Sequence, residues 1–133
     1  MTMIIRQLLQ TIAAAEETAQ RLADLDKEET EWEAYLKEAR RQRQFWEYMY
    51  RLIAGQECAV KSAEGEADHS GRLELLEALA AAEWTKAQLC QRVCGRLSGA
   101  ARQASDRLFH QALQQSGALL AMVQAERMKQ TVH

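Results

Sequence analysis

Hydrophobic residues recur every three or four positions along most of the chain, which is the spacing of one face of an α-helix. The pattern predicts four helices, at about residues 3–27, 31–54, 72–97 and 100–129. In the first helix the apolar stripe consists of Ile5, Leu8, Leu9, Ile12, Ala15, Ala19 and Leu22. We therefore predict an all-α fold, a four-helix bundle in which the stripes face a shared core.

Residues that start and stop helices mark the expected ends of these segments. Thr30 and Glu33 have the T-x-x-E spacing of a capping box, in which the two side chains bind unpaired amides of the first turn. The second helix is expected to begin there and to stop at Gly55. Ser98 and Gly99 predict the turn between the third and fourth helices.

Residues 55–70 connect the second and third helices and show no sustained hydrophobic periodicity. This connection is long for a bundle turn, and it is long enough to run from one end of the bundle to the other. Such a crossover leaves helices two and three parallel. Glu66 and His69 within it have the E-x-x-H spacing of metal ligands, but we interpret this as coincidence because a loop does not place both side chains on one helical face.

Composition narrows the class of protein. Proline is absent and only 6 of the 133 residues are glycine, which favours helices, and the length suits a single domain over residues 1–133. The net charge of −2 argues against nucleic acid as a partner, and no apolar run is long enough to span a membrane. Because there is no signal-peptide pattern, we expect a cytoplasmic protein.

The three cysteines, Cys58, Cys90 and Cys94, lack the even number and spacing of a disulfide framework. Cys90 and Cys94 share a helix face, which is compatible with a redox or metal role. Buried cysteine more often acts as a small hydrophobic residue, and we favour that interpretation.

The first and third helices share a sequence repeat. Residues 8–22, LLQTIAAAEETAQRL, return 67 positions later as residues 75–89, LLEALAAAEWTKAQL, with eight identities that include Glu16 and Glu83. At the same offset the turns correspond, and further matches continue into helices two and four. The chain is therefore predicted to be a duplicated helical hairpin.

Several of the repeated positions place acidic groups on apolar faces. Glu16 lies on the buried stripe of helix one, and Glu83 is its counterpart in helix three. In antiparallel hairpins Glu47 lies opposite Glu16, and Gln114 lies opposite Glu83. These positions are expected to share one layer of the bundle, where carboxylates repel unless protons, cations or basic side chains compensate for their charge.

The I/L-A-A-A-E segments that end at Glu16 and Glu83 resemble the ligand segments of helices one and three in the ferritin-like superfamily, specifically its rubrerythrin-like group. The resemblance implies two antiparallel hairpins joined by a long crossover. It also implies a dinuclear iron centre to which helices two and four each contribute Glu-x-x-His. Here residues 47–50 read EYMY and residues 114–117 read QQSG, so both histidines and one glutamate of the family's ligand set are missing.

The remaining candidate metal ligands are Glu16, Glu47 and Glu83, with His110 one turn before Gln114 as a further imidazole. Such a mixed set suits zinc, manganese or iron, although we expect no cofactor.

Lys86 offers a different way to compensate the acidic charge. It lies one turn after Glu83, where its ammonium group is expected to replace the charge of a metal with a salt bridge. Alternatively the core glutamates are held by the Tyr50 hydroxyl or by buried water.

Near the end of helix two, the helix carries apolar residues on almost all of its sides, so one buried stripe does not account for them. Two explanations remain open: cover by the following loop, or a subunit interface, where aromatic residues and methionine are enriched. The candidate interface residues are Phe45, Trp46, Tyr48, Met49 and Leu52. The expected partner is a second copy of the chain or another helical protein.

The missing ligands favour a non-enzymatic helical bundle that acts as an interaction or structural module. The alternative, which the family resemblance implies, is a divergent metal-binding oxidase or peroxide-handling protein that uses the remaining carboxylates. A third possibility is an amphipathic adaptor that binds a partner helix, and it differs from the first mainly in having a simple up-down topology.

Overall fold

The computed structural model describes residues 1–27, 29–58 and 71–131, and these residues form four helices and no strand. The helices are α1 (Thr2–Leu25), α2 (Glu31–Ala54), α3 (Arg72–Cys94) and α4 (Gly99–Thr131). The predicted all-α four-helix fold is confirmed. Residues 59–70, which include most of the predicted crossover together with Glu66 and His69, lie outside the described residues. Within the described part of the chain, no helix is long and apolar enough to cross a membrane.

The start of α2 matches the prediction in position but not in chemistry. Thr30 precedes the helix, yet it makes no side-chain capping bond, and its backbone angles (φ −83°, ψ −13°) are helical. A capping threonine normally has extended angles that direct its oxygen at the first-turn amides. The predicted capping box is therefore wrong. The Nε1 atom of Trp32 instead donates to Asp26 Oδ2 at 3.2 Å, which fixes the helix to the preceding turn.

Two other helix ends lie at or near their predicted positions. Gly55 stops α2 in the left-handed conformation (φ 73°), and its N–H donates to the Arg51 carbonyl at 2.9 Å. By contrast, α3 ends at Cys94 and not at about residue 97. The N–H of Arg96 donates to the Val93 carbonyl at 2.8 Å, so the chain has already turned more tightly than an α-helix.

The order of packing places α1 and α3 next to each other. Along the described residues, α1 packs against α2 and α3, and α3 also packs against α4, whereas α2 and α4 have no comparable backbone packing. The bundle therefore has three closed sides and one open side, between α2 and α4.

Two core clusters give the directions of the helices. The Leu22 cluster joins one end of all four helices through Leu22, Tyr35, Leu76 and Val123. The Ile5 cluster joins the other end through Ile5, Trp46, Cys90 and Leu108. Consequently α1 is antiparallel to α2 and α3, and α3 is antiparallel to α4. Helices α2 and α3 are parallel, as predicted, which rejects the up-down adaptor bundle.

Ion pairs connect three parts of the chain at the end of the bundle that contains the Leu22 cluster. Arg72, the first residue of α3, lies 2.9 Å from Asp26 Oδ2 through Nε and 2.7 Å from Glu126 Oε2 through Nη1. The turn after α1, the start of α3 and the last part of α4 are thus held by one guanidinium group, whose fixed donors suit two carboxylates.

Candidate functional site

A group of buried polar side chains lies between the two apolar core clusters. Glu83 on α3 is fully buried, and its Oε1 atom accepts hydrogen bonds from the Tyr35 hydroxyl and from Lys86 Nζ, the latter at 2.8 Å. Lys86 Nζ also donates to Gln42 Oε1 at 2.7 Å. We call Tyr35, Gln42, Glu83 and Lys86 the buried cluster. It links α2 to α3 across the interior.

Helical spacing brings these four side chains together. Glu83 and Lys86 are three residues apart on α3, and Tyr35 and Gln42 are seven residues apart on α2, so each pair lies on one face of its helix. Gln42 Nε2 is also 3.5 Å from Gln111 Oε1 on α4, which extends the polar contacts to a third helix.

The charges of the buried cluster balance, because the Lys86 ammonium group compensates for the Glu83 carboxylate. Burial, and then the adjacent charge of Glu83, raises the pKa of Tyr35, so the phenol keeps its proton and acts as a donor. The salt bridge between Lys86 and Glu83 that the sequence suggested is therefore present. That it takes the place of a metal ion stays a prediction.

Glu16, the counterpart of Glu83 in the repeat, has a different environment. Its Oε2 atom lies 3.2 Å from Arg43 Nη1, and Arg43 Nε lies 3.5 Å from the exposed Glu47 carboxylate. Burial raises the pKa of Glu16, while the charges of Arg43 and Arg40 oppose that rise. Glu16 therefore belongs to an ion-pair chain that runs from the interior to the surface.

Two of the four candidate metal ligands lie on the surface. Glu47 is exposed on α2, and His110 is exposed on α4, where its Nε2 atom lies 3.6 Å from Asp106. The buried stripe of α4 consists of Ser105, Ala112, Ser116, Leu119 and Val123. His110 and Gln114 lie off that stripe, so the single layer of Glu16, Glu47, Glu83 and Gln114 is not formed.

The residues present do not fit the dinuclear centre that the family resemblance implies. Glu83 Oε1 is bound to an ammonium group and a phenol, and Glu16 Oε2 is bound to a guanidinium group, so one oxygen of each carboxylate already has a cationic or donor partner that belongs to the chain. Over residues 1–27, 29–58 and 71–131, no three carboxylate, imidazole or thiol groups are placed to hold a metal ion. One oxygen of each carboxylate, Glu16 Oε1 and Glu83 Oε2, is buried without a hydrogen-bond partner among the described residues.

A tyrosine hydroxyl does donate a hydrogen bond to Glu83, but the residue is Tyr35 and not Tyr50. The Tyr50 hydroxyl accepts a hydrogen bond from Arg6 Nη2 at 2.7 Å, near the other end of α2. Sequence reasoning gave no role to Tyr35, and it missed Gln42. A polar residue on the buried stripe of α2, seven positions after a tyrosine, was the available signal.

The cysteines favour the structural interpretation. Cys90 is buried in the Ile5 cluster, and burial raises the pKa of its thiol to about 12, which disfavours the reactive thiolate. Cys58 packs against the same cluster, and Cys94 is partly exposed.

The interface predicted at the end of α2 is only partly available. Trp46 is fully buried and Met49 is almost so, because both belong to the Ile5 cluster, and Phe45 packs against that cluster. Tyr48 and Leu52 remain exposed, at 53% and 61%. Core packing thus accounts for Phe45, Trp46 and Met49, and an interface at Tyr48 and Leu52 stays a prediction.

A second surface with exposed apolar side chains lies on the outside of α3 and α4, and sequence reasoning missed it. Trp84 and Leu120 are each 52% exposed and line a groove of about 350 Å³ between the two helices. We call this surface the neutral face; it consists of Ala81, Trp84, Gly117, Leu120, Ala121 and Gln124. Residues 111–125 contain no charged residue, and this was the signal in the sequence.

No family model, curated protein or solved structure matches the chain. The ferritin-like resemblance therefore rests on the repeat and on its two glutamates.

Proposed function

We propose that the protein is a helical interaction module that forms a homodimer through the neutral face. The observation that carries this proposal is the half-exposed Trp84 beside Leu120, in a groove whose only charged lining residues, Glu77 and Arg127, are paired with each other. Large apolar side chains that share a groove on the surface are typical of an interaction site. Tryptophan is also the residue type most enriched among side chains that dominate binding energy.

The lack of charge on the neutral face favours a second copy of the chain as the partner. In a two-fold symmetric dimer the same patch meets itself, so an uncharged surface is covered by an uncharged surface and no ion loses its hydration. The nearest ion pair, between Arg127 and Glu77 at 3.3 Å, lies at one end of the groove and stays at the rim. Interfaces of this kind have an apolar centre and a polar rim.

Analytical ultracentrifugation of matched variants tests this proposal. We expect the wild-type chain to be a dimer, and Leu120→Glu to raise the dimer dissociation constant by at least tenfold, because it buries a charge in the interface. Leu52→Glu on α2 is the control, since Leu52 is at least as exposed as Leu120 but lies outside the neutral face. Circular dichroism checks that both variants remain helical. A monomeric wild type, or dissociation by Leu52→Glu and not by Leu120→Glu, contradicts the proposal.

We further propose that the module is a ferritin-like scaffold that no longer binds a dinuclear metal centre. The duplicated hairpins, the parallel α2 and α3, and the paired positions of Glu16 and Glu83 support this origin. The unpartnered oxygens of those two glutamates favour the alternative, a divergent metal-dependent oxidase. Elemental analysis of protein purified without chelators separates the two, because about two metal ions per chain would support the oxidase.

A further inference from the structure

The open side of the bundle, between α2 and α4, contains a groove of about 390 Å³. Apolar side chains form its walls, namely Trp32, Ala34, Ala118, Leu119 and Met122. Two carboxylates, Glu31 and Glu38, also line it, and none of its lining residues is basic. The groove is in the size range of small-molecule sites, which are mostly apolar with a few polar groups.

A much smaller cavity of about 10 Å³ lies at the inner side of this groove. It adjoins the groove, because Tyr35, Glu38, Gln111 and Gln115 line both. Glu83 and Lys86 of the buried cluster complete its walls. A cavity of this size holds about one water-sized group.

The charges around the inner cavity are unbalanced by one. Glu38 and Glu83 contribute two negative charges, and Lys86 contributes one positive charge. Arg41 lies 3.7 Å from Glu38, but it is largely exposed and does not line the cavity. Glu83 is fully buried and its Oε2 atom has no hydrogen-bond partner among the described residues. The lining of the cavity therefore has one acceptor without a partner and one more negative than positive charge.

The groove as a whole is also acidic. Glu31 and Glu38 line it without a basic residue among the other lining residues. Burial, and then the neighbouring Glu29 carboxylate, raises the pKa of Glu31, while the charge of Arg72 opposes that rise. A positively charged ligand is therefore complementary to both the rim and the inner cavity.

We propose that this groove binds a small primary amine with an apolar body, with the ammonium group in the inner cavity and the body along the apolar walls. An ammonium group is close to water in size and has three donors. The available acceptors are Glu83 Oε2, the Glu38 carboxylate and the amide oxygens of Gln111 and Gln115. The added positive charge balances the excess carboxylate, and the groove between α2 and α4 covers the apolar body.

Three probes that differ only in the head group test the proposal by isothermal titration calorimetry on the full chain. They are 2-phenylethylamine, the neutral 2-phenylethanol, and trimethyl(2-phenylethyl)ammonium, which carries the charge on a head too large for the inner cavity. We expect the primary amine to bind at least tenfold more tightly than either of the others. Equal binding of the alcohol would overturn the role of charge, and equal binding of the trimethylated cation would overturn the placement in the cavity.

Two matched glutamine variants locate the binding. Glu38→Gln should weaken binding of 2-phenylethylamine about tenfold, whereas Glu33→Gln should leave it unchanged, because Glu33 is an exposed residue of the same helix outside the groove. Nitrogen-15 NMR spectra should show the largest shifts at the side-chain amides of Gln111 and Gln115. Shifts confined to Trp84 and Leu120, or equal effects of the two variants, would contradict the proposal. Since the neutral face lies on another side of the bundle, either proposal can fail without the other.

Discussion

Glu16 and Glu83 occupy the same position in the two halves of the repeat, yet the chain stabilises them in different ways. Glu83 is fully buried, and it accepts hydrogen bonds from the Lys86 ammonium group and the Tyr35 phenol, both of which are also buried. Glu16 is partly accessible, and it forms an ion pair with the guanidinium group of Arg43, which is also partly exposed.

The difference originates in two positions where the repeat is not exact. Lys86 corresponds to Ala19, so only the second half places a cation one turn after the glutamate. Arg43 corresponds to His110, which lies on the surface beside Asp106, so only the first half receives a cation from its own hairpin partner. The two halves of the repeat thus share an acidic core position, and each half supplies a different counter-charge.

Removal of Lys86 should produce the largest effect. We expect Lys86→Met to lower the free energy of unfolding by about 3–5 kcal/mol, because it leaves the Glu83 carboxylate buried without a counter-ion. Arg43→Met, the equivalent change at Glu16, should lower it by less than about 1 kcal/mol, since solvent and ions screen a partly exposed pair. Urea unfolding followed by circular dichroism measures both values.

A double variant separates the loss of the ion pair from the loss of the lysine side chain. If the unpaired charge is the cause, Glu83→Gln combined with Lys86→Met should recover most of the stability lost in Lys86→Met. A double variant as unstable as Lys86→Met would show that packing of the lysine stem, and not the ion pair, accounts for the loss.

Tyr35→Phe should have an intermediate effect. The change removes one hydrogen bond to a charged acceptor and leaves the ring in place, so we expect a loss of about 1.5–3 kcal/mol. Tyr48→Phe on the same helix is the control, because Tyr48 is exposed and should change stability by less than about 0.5 kcal/mol. Equal losses in the two variants would mean that the contact between Tyr35 and Glu83 contributes nothing.

The helices and their arrangement could be predicted from local patterns in the sequence. Apolar spacing identified the four helices, Gly55 identified a helix end, and the length of the connection after it predicted the parallel arrangement of α2 and α3. The start of α2 was correct in position, although the capping box from which it was predicted is absent.

The site was less predictable, because side-chain contacts depend on helix rotation. Lys86 was found because it is on the same helix as Glu83, so helical spacing alone brings the two together. Tyr35 reaches Glu83 across helices, and His110 turns away because the buried stripe of α4 passes through Ala112 and Ser116. Rotation of a helix about its axis by a fraction of a turn determines which of these side chains is buried in the core. The sequence pattern does not resolve a rotation of that size.

The smallest expected effect concerns the pH dependence that Glu16 contributes. Burial raises the pKa of Glu16 above its ordinary value of 4.5, so the folded protein binds this proton more tightly than the unfolded chain does. The contribution of Glu16 to the free energy of unfolding therefore falls as the pH rises from below 4.5 through the raised pKa, and this contribution is constant at higher pH. We expect the difference in unfolding free energy between wild type and Glu16→Gln to decrease by less than about 1 kcal/mol over this range. If attraction to Arg43 outweighs burial, the difference increases with pH instead. Repeating the titration at about 1 M salt identifies the cause, because salt screens the guanidinium charge but leaves the cost of burial.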